Sequence, residues 1–201
     1  MSRRVVVALL VLLLGAAAVS ALLVITGRTA RSSAGEVELG GPFALVDQNG
    51  RPFTDRDLRG RPAAVFFGFT YCPEVCPTTL ARHATALKAM GPAAGKLRVV
   101  FVTVDPERDT PAQMKAYLSD FSAPITGLTG SPQAVKRMLD AYHVYSRRVP
   151  LPGGGYTMDH MAATYMFDRD GRFQGLLGYG EPPEAEVAKL RALAEGRSPS
   201  A

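Results

Sequence analysis

The chain has 201 residues, with 23 Lys and Arg, 18 Asp and Glu, three His and two Cys, which is room for one domain of ordinary size and an appendage. Its formal charge of +5 does not indicate nucleic-acid binding, because four arginines flank the apolar N-terminal segment and no basic stripe with interleaved aromatics follows. Two cysteines placed close together also exclude a disulfide-built scaffold.

The first predicted element is a membrane anchor at residues 1–27. Residues 5–26 carry no charge and are long enough to cross a hydrocarbon core of about 30 Å. This apolar run exceeds that of an ordinary signal peptide, so cleavage near residues 18–21 is the less favoured alternative. Arg3 and Arg4 favour a cytoplasmic N-terminus, which makes this a single-pass protein of the cell membrane with its soluble domain on the periplasmic or extracytoplasmic side. The lack of a long mitochondrial-type presequence favours a bacterial setting.

A polar linker at 28–41 is predicted to lead into one domain at 42–196, followed by a flexible tail at 197–201. The elements predicted in the domain are a hairpin around the Asn-Gly turn at 49–50, a helical turn at 55–58, a buried strand at 63–69, a helix at 78–90, a buried strand at 97–104, a helix at 111–120, a short strand at 125–128, a helix at 132–142, a hairpin pairing 164–167 with 173–177, and a helix from Pro182 or Pro183 to about Glu195. The segments at 109–111 and 131–132 each supply a helix cap followed by proline at the first helical position. This order predicts an α/β domain with a mixed sheet. With two cysteines at the first strand-to-helix junction, it fits a thioredoxin-like fold.

Cys72 and Cys76 are predicted to carry the chemistry. At a spacing of i, i+4 on a helix their Cβ atoms lie about 5–6 Å apart, near enough to grip one metal ion. A strand-to-helix junction also stabilises a thiolate. Metal binding is the favoured interpretation, and a redox-active pair without metal remains an alternative. A structural disulfide is disfavoured, because closing so small a loop removes little entropy from the unfolded chain.

The ligand set favours copper. Two thiolates select Cu(I), zinc or iron–sulfur, but an iron–sulfur cluster and a structural zinc site both ordinarily need four protein ligands. A third ligand must be a histidine. His83 is predicted to be a surface or helix-face residue, and His143 to end a helix, where it suits the dipole.

His160 is the favoured third ligand, because it follows the glycine-rich loop at 152–155 and directly precedes a hairpin strand. In a thioredoxin-like sheet this segment returns beside the N-terminus of the first helix. Asp159 is a candidate for orienting the imidazole. Met158 and Met161 flank the histidine and could offer a thioether, although packing is the favoured role for both.

Four motifs in register resemble the SCO/SenC family of cytochrome oxidase assembly proteins, and the resemblance covers residues 40–195. They are Gly-Gly-Pro-Phe at 40–43, Phe-Gly-Phe-Thr-Tyr-Cys-Pro-Glu-Val-Cys-Pro-Thr-Thr-Leu at 67–80, Val-Asp-Pro-Glu-Arg-Asp-Thr-Pro at 104–111, and Asp-His at 159–160. Glu74 and Met161 depart from the commoner aspartate and serine, without touching a ligand. The motif at 104–111 marks Asp105 and Arg108 without giving them a mechanism, and strand-end or capping roles are expected there.

The resemblance implies a membrane-tethered copper protein that holds Cu(I) or Cu(II) through Cys72, Cys76 and His160. It also implies delivery of copper to, or reduction of cysteines in, the dinuclear copper site of oxidase subunit II. The expected partners are therefore that subunit, an extracytoplasmic copper donor and a thiol reductant.

Two enzyme classes compete with copper delivery. A thiol–disulfide reductase could use the same cysteine pair, but its usual spacing has two residues between the cysteines, and three stand between them here. A peroxiredoxin is disfavoured, because residue 73, where a threonine should precede the reactive cysteine by three positions, is proline.

Overall fold

The computed structural model of the protein describes Gly15 and residues 39–199. The predicted anchor at 1–27 lies outside this part of the chain except for Gly15, and so does most of the predicted linker at 28–41. Among the described residues, no helix has the length and apolar character needed to cross a bilayer. The anchor and the domain boundaries therefore stay predictions.

Nine strands lie in the described part of the chain. They are β1 (Ala44–Asp47), β2 (Pro52–Thr54), β3 (Ala63–Gly68), β4 (Arg98–Thr103), β5 (Ile125–Thr129), β6 (Ser146–Pro150), β7 (Tyr156–His160), β8 (Ala163–Phe167) and β9 (Phe173–Gly178). Seven of them form a mixed sheet in the order β2-β1-β5-β4-β3-β8-β9. β3, β4 and β5 run parallel and the other neighbours pair antiparallel, while β6 and β7 form a separate two-stranded hairpin.

Within residues 39–199, five α-helices and one 3₁₀ helix lie between or after these strands. They are α1 (Asp55–Leu58), α2 (Val75–Met90), α3 (Pro111–Leu118), α4 (Pro132–Ala141), α5 (Pro183–Ala194) and the 3₁₀ helix Gly91–Lys96. The side chains of Thr110 and Ser131 cap α3 and α4 by accepting backbone N–H groups, and a proline follows each cap. Both capping devices were predicted from the sequence.

The core lies on both faces of β3 and β4. Every residue of β3 is buried, as predicted for a strand covered on two sides. Phe66 contacts His83 of α2, whereas its neighbour Phe67 contacts Tyr142, which follows α4. Successive side chains of a strand point to opposite faces, so helices cover both faces of the sheet. The predicted thioredoxin-like α/β fold is confirmed.

The helix that carries Cys76, α2, begins earlier than predicted. α2 starts at Val75, not at Thr78, so that Cys76 and Pro77 lie in its first turn. Proline is compatible with this turn, because the N–H groups of the first helical turn have no intrahelical acceptor and a proline there sacrifices no hydrogen bond.

The β6–β7 hairpin is a second difference from the sequence prediction, which placed a flexible loop before His160. Arg147 pairs with Asp159 and Val149 with Thr157, so only the segment 151–155 forms the tip. The hairpin adds no strand to the main sheet and buries little of β6, so it lacks the apolar run by which a core strand is predicted.

Candidate metal site

The two cysteines lie where β3 enters α2. Cys72 is half-buried in the connecting loop, and Cys76 is fully buried in the first turn of the helix. Both are free thiols. The backbone N–H of Cys76 donates to the sulfur of Cys72 over 3.3 Å. The N-terminus of α2 therefore supplies a hydrogen bond to one sulfur and carries the other, as the spacing predicted.

Gly68, the last residue of β3, makes room for the buried sulfur. A Cβ atom at this position would lie 2.7 Å from the Cys76 sulfur and 2.8 Å from the Phe101 ring. Contacts this short force neighbouring atoms to shift. This role of Gly68 is not predictable from the sequence, because nothing in the sequence shows which side chain will occupy the space above a strand glycine.

His160 ends β7 and turns its ring toward the cysteines. Its Nε2 atom lies 3.5 Å from the Cys76 sulfur, and its Nδ1 lies 3.0 Å from the carbonyl oxygen of Met161. A carbonyl oxygen can only accept, so Nδ1 carries the proton and the lone pair of Nε2 faces the sulfur. Phe66 and Phe69 contact the imidazole edge-to-face, at centroid distances of 6.3 and 5.7 Å.

The geometry of the three residues fits a metal ion. The two sulfurs and a nitrogen of His160 all lie within 4.8 Å of one another. Two donors bound at about 2.0–2.3 Å to a shared ion are themselves roughly 3.5–4 Å apart. The donors are thus close to binding positions, and two sulfurs with an imidazole suit a soft ion such as Cu(I).

The paired sulfurs divide their protons unequally. A hydrogen bond from the Cys76 thiol lowers the pKa of Cys72 to about 4, against an opposing contribution from partial burial. The interaction with the Cys72 thiolate, together with burial, raises the pKa of Cys76. In the metal-free site Cys72 is therefore a thiolate and Cys76 a thiol, so that binding of a metal by both sulfurs releases a proton.

Asp159 does not orient His160, which corrects the sequence prediction. Its carboxylate accepts from the Tyr145 hydroxyl at 3.2 Å and lies 3.5 Å from the Arg147 guanidinium, on the exposed side of the hairpin. Neighbouring residues of a strand point to opposite faces, so Asp159 turns away where His160 turns inward. The backbone carbonyl of Met161 takes the orienting role instead.

The two methionines that flank the histidine differ in burial, because Met158 is partly buried and Met161 is 38% exposed. The Met161 thioether accepts the Tyr165 hydroxyl at 3.0 Å, and the Tyr165 ring packs on Phe67, on the opposite face of β3 from Phe66 and His160. Met158 packs against the hydrophobic core. Packing was the role that the sequence favoured for both.

The other two histidines lie away from the cysteines. His143 is exposed, just beyond α4. His83 is 2% exposed, so the predicted surface position is wrong and it lies on a buried face of α2. Its two ring nitrogens contact Glu186 and Thr164, partners that are distant in sequence and could not be predicted from the helix alone.

Asp109 supports the loop that carries Cys72, whereas the sequence indicates only a role in a helix cap. Its buried carboxylate accepts from the backbone N–H and hydroxyl of Thr70, at 3.1 and 2.7 Å, and from the Thr103 hydroxyl at 2.6 Å. Burial raises the pKa of Asp109, partly offset by these hydrogen bonds. The carboxylate thus ties the loop before Cys72 to the end of β4.

Comparison with known proteins assigns the chain to one family. Residues 31–195 match the SCO1/SenC family. Protein SCO2, mitochondrial, of Saccharomyces cerevisiae is 39% identical over 160 residues, covering 78% of this chain and 53% of that protein. The SCO2-like protein RP587 of Rickettsia prowazekii is 37% identical over 140 residues, covering 69% of this chain and 68% of that protein.

A solved structure agrees with the same assignment. The structure of Bradyrhizobium japonicum ScoI with copper bound aligns with a TM-score of 0.72 at 48% identity, covering 77% of this chain and 99% of that one. The chain spans about half the length of the yeast relative, 53%.

Proposed function

The chain belongs to the SCO1/SenC family, and we propose on that premise that it binds one copper ion through Cys72, Cys76 and His160 and delivers it to the dinuclear copper site in subunit II of a respiratory cytochrome c oxidase. The observation that carries this proposal is the convergence of two sulfurs and one imidazole nitrogen within 4.8 Å. It is supported by the likeness to a ScoI protein with copper bound.

The copper ion is bound for delivery, and each ligand contributes differently to its binding. The Cys72 thiolate is ready to bind near neutral pH, because its pKa is lowered to about 4. Cys76 gives up its proton on binding, and the Nε2 lone pair of His160 completes the set. Two sulfurs suit Cu(I), and the imidazole lets the same set accept Cu(II).

The burial of the three ligands sets the order in which their bonds to copper are exchanged. Cys76 is fully buried, while Cys72 and His160 are half-buried. An incoming ligand of the receiving protein therefore approaches over Cys72 and His160, and the bond to Cys76 breaks last. Stepwise exchange of this kind lets copper pass between proteins without being released to water.

The proposal places the chain at a membrane. Residues 1–27 anchor it, and the domain at 42–196 lies outside the cytoplasm. A copper donor supplies the ion there, and a thiol reductant keeps Cys72 and Cys76 reduced, because a disulfide between them removes both sulfur ligands.

A thiol–disulfide reductase is not favoured. Its attacking thiol could be the half-buried Cys72, but the resolving Cys76 is fully buried and faces His160 in a ligand geometry. A reductase needs no imidazole at that position.

The test uses the full chain in detergent, reduced and titrated with Cu(I) against a competing chelator. We expect one tightly held ion per chain, affinity lowered at least about 1000-fold in Cys76→Ser, and transfer of the ion to metal-free subunit II. Reduction of a subunit II disulfide by the copper-free chain, with no ion transferred by the loaded one, contradicts the proposal and supports the reductase.

A further inference from the structure

Arg108, in the loop between β4 and α3, is surrounded by aromatic rings. Its guanidinium carbon lies 3.8 Å from the centroid of Tyr156, 4.7 Å from that of Tyr71 and 5.8 Å from that of Phe69. Contacts between a guanidinium and a ring face are attractive because the face is electronegative, and more so where water is excluded. The Arg108 side chain is 24% exposed, so much of this interaction is shielded.

Hydrogen bonds fix the guanidinium among these rings. Nη1 donates to the backbone oxygen of Tyr156 at 3.0 Å, and Nε donates to the carboxylate of Asp105. The Tyr156 hydroxyl donates to the other oxygen of Asp105 at 2.9 Å. Nη2 is buried and has no hydrogen-bond partner among the described residues, which leaves the ring faces as its neighbours. Arg108 and Asp105 together therefore contact the backbone, the ring and the hydroxyl group of Tyr156.

These contacts join the two segments that carry the metal ligands. Tyr71 directly precedes Cys72, and Tyr156 begins β7, the strand that ends at His160. Phe69 packs against both Arg108 and His160. The β6–β7 hairpin pairs with no strand of the main sheet in the described chain, so side-chain contacts must hold it in place.

We propose that Arg108 is a positioning residue for the metal site: it locks the β6–β7 hairpin against the Cys72 loop and so holds His160 at the cysteines. Asp105 orients the guanidinium. The inference rests on the proposed copper function for its metal readout, but the lock itself is a property of the metal-free protein. Loss of Arg108 leaves the two sulfurs in place and lets the hairpin carry His160 away.

Arg148 provides a matched control. Its guanidinium carbon stacks 4.0 Å from the same Tyr156 ring, but Arg148 belongs to β6 and pairs with Glu107 at the surface. Substituting Arg148 removes an equal charge from the same ring, but Arg148 has no observed contact with the Cys72 loop. Arg108→Gln removes the contact between the hairpin and the Cys72 loop, and Arg148→Gln leaves that contact in place.

The first measurement is hydrogen exchange on the metal-free full chain. We expect Arg108→Gln to speed exchange of the amides at 156–160 at least about tenfold while β3 and β8 stay protected. We expect Arg148→Gln to change these rates less than about threefold, and Arg108→Lys, which lacks the planar fork, to restore little protection. Unchanged exchange at 156–160 in Arg108→Gln overturns the proposal, whatever the chain does with copper.

The second measurement is a double-mutant cycle on Cu(I) affinity. Arg108→Gln should weaken binding about 10- to 100-fold in the native chain, the range found for residues that orient ligands, and less than about threefold in a His160→Ala background. An equal loss in both backgrounds overturns the proposal, because Arg108 then does not act through His160. A native chain that binds no copper refutes the proposed function, and the exchange result then decides the lock by itself.

Discussion

Two imidazoles contact the same phenyl ring and have opposite roles. The ring of Phe66 lies 6.4 Å from that of His83 and 6.3 Å from that of His160. In His83 both nitrogens are engaged, with Glu186 at 2.7 Å and Thr164 at 2.8 Å. In His160 only Nδ1 is engaged by a hydrogen-bond acceptor, and Nε2 faces a sulfur. A histidine is available as a ligand when the protein has fixed one nitrogen and left the other unprotonated.

The surroundings of the two residues extend this difference. His83 belongs to a buried network in which Glu186 also pairs with Arg82, and Arg82 donates to the carbonyl oxygens of Tyr179 and Glu181. The network joins α2 to α5 and β8, so it stabilises the fold. His160 lies on a hairpin outside the main sheet, where its position depends on side-chain contacts and its loss costs the fold little.

The largest expected effect separates the two histidines by metal affinity. His160→Ala should lower Cu(I) affinity at least about 1000-fold, which is roughly 4 kcal/mol of binding free energy, because the third donor is lost. His83→Ala should change it less than about threefold, provided the variant is folded. Competition titration of the two full-length variants checks this. Similar losses in both would mean that a free ring nitrogen does not distinguish the metal ligand from the structural histidine.

The next effect reverses the comparison in stability. His83→Ala leaves a buried carboxylate with one fewer partner, and we expect the free energy of unfolding to fall by about 2–4 kcal/mol. His160→Ala should lower it by less than about 1 kcal/mol, as for a half-exposed residue. Urea unfolding of the metal-free chains in detergent measures both. Equal losses would show that the hairpin, too, is part of the stabilising core.

A smaller effect is expected at Gly68, which belongs to the ligand region but acts through packing. Gly68→Ala places a methyl group against Cys76 and Phe101, and we expect a loss of about 1–3 kcal/mol in unfolding free energy with weakened copper binding. Gly95→Ala is the control, because a Cβ there meets no atom within 4 Å. If unfolding and copper titrations leave Gly68→Ala unchanged, the sulfur has more room than the structure shows.

The sequence predicted the main sheet, the helices and the three candidate ligands from local signals. Alternation of buried strands with proline-capped helices indicated the fold, and the cysteine spacing with the glycine loop indicated the site. The roles of Arg108, Asp109 and Glu186 could not be predicted in this way. Each acts on a residue 39 or more positions away, as Asp109 does on Thr70, Arg108 on Tyr156 and Glu186 on His83, and such pairings form only once the chain has folded.

The smallest expected effect is the pH dependence of the His83 region. Burial raises the pKa of Glu186, but hydrogen bonds and charge from His83 and Arg82 lower it below its ordinary value of 4.5. A carboxyl group whose pKa is lower in the folded protein stabilises the fold above its unfolded pKa, and this contribution is lost as the pH falls through the folded pKa. The free-energy difference between the native chain and Glu186→Gln, about 1 kcal/mol near pH 7, should therefore shrink below about pH 4.5.

Unfolding titrations across this pH range measure the difference, with Glu184→Gln as the control. Glu184 lies on the same helix but is exposed, so its substitution should shift stability little at any pH. A gap between the native chain and Glu186→Gln that stays constant down to about pH 3 would mean that the carboxylate charge does not stabilise the network. The stability of the His83 region would then come from hydrogen bonding and packing alone, and its contrast with the ligand region would no longer involve charge.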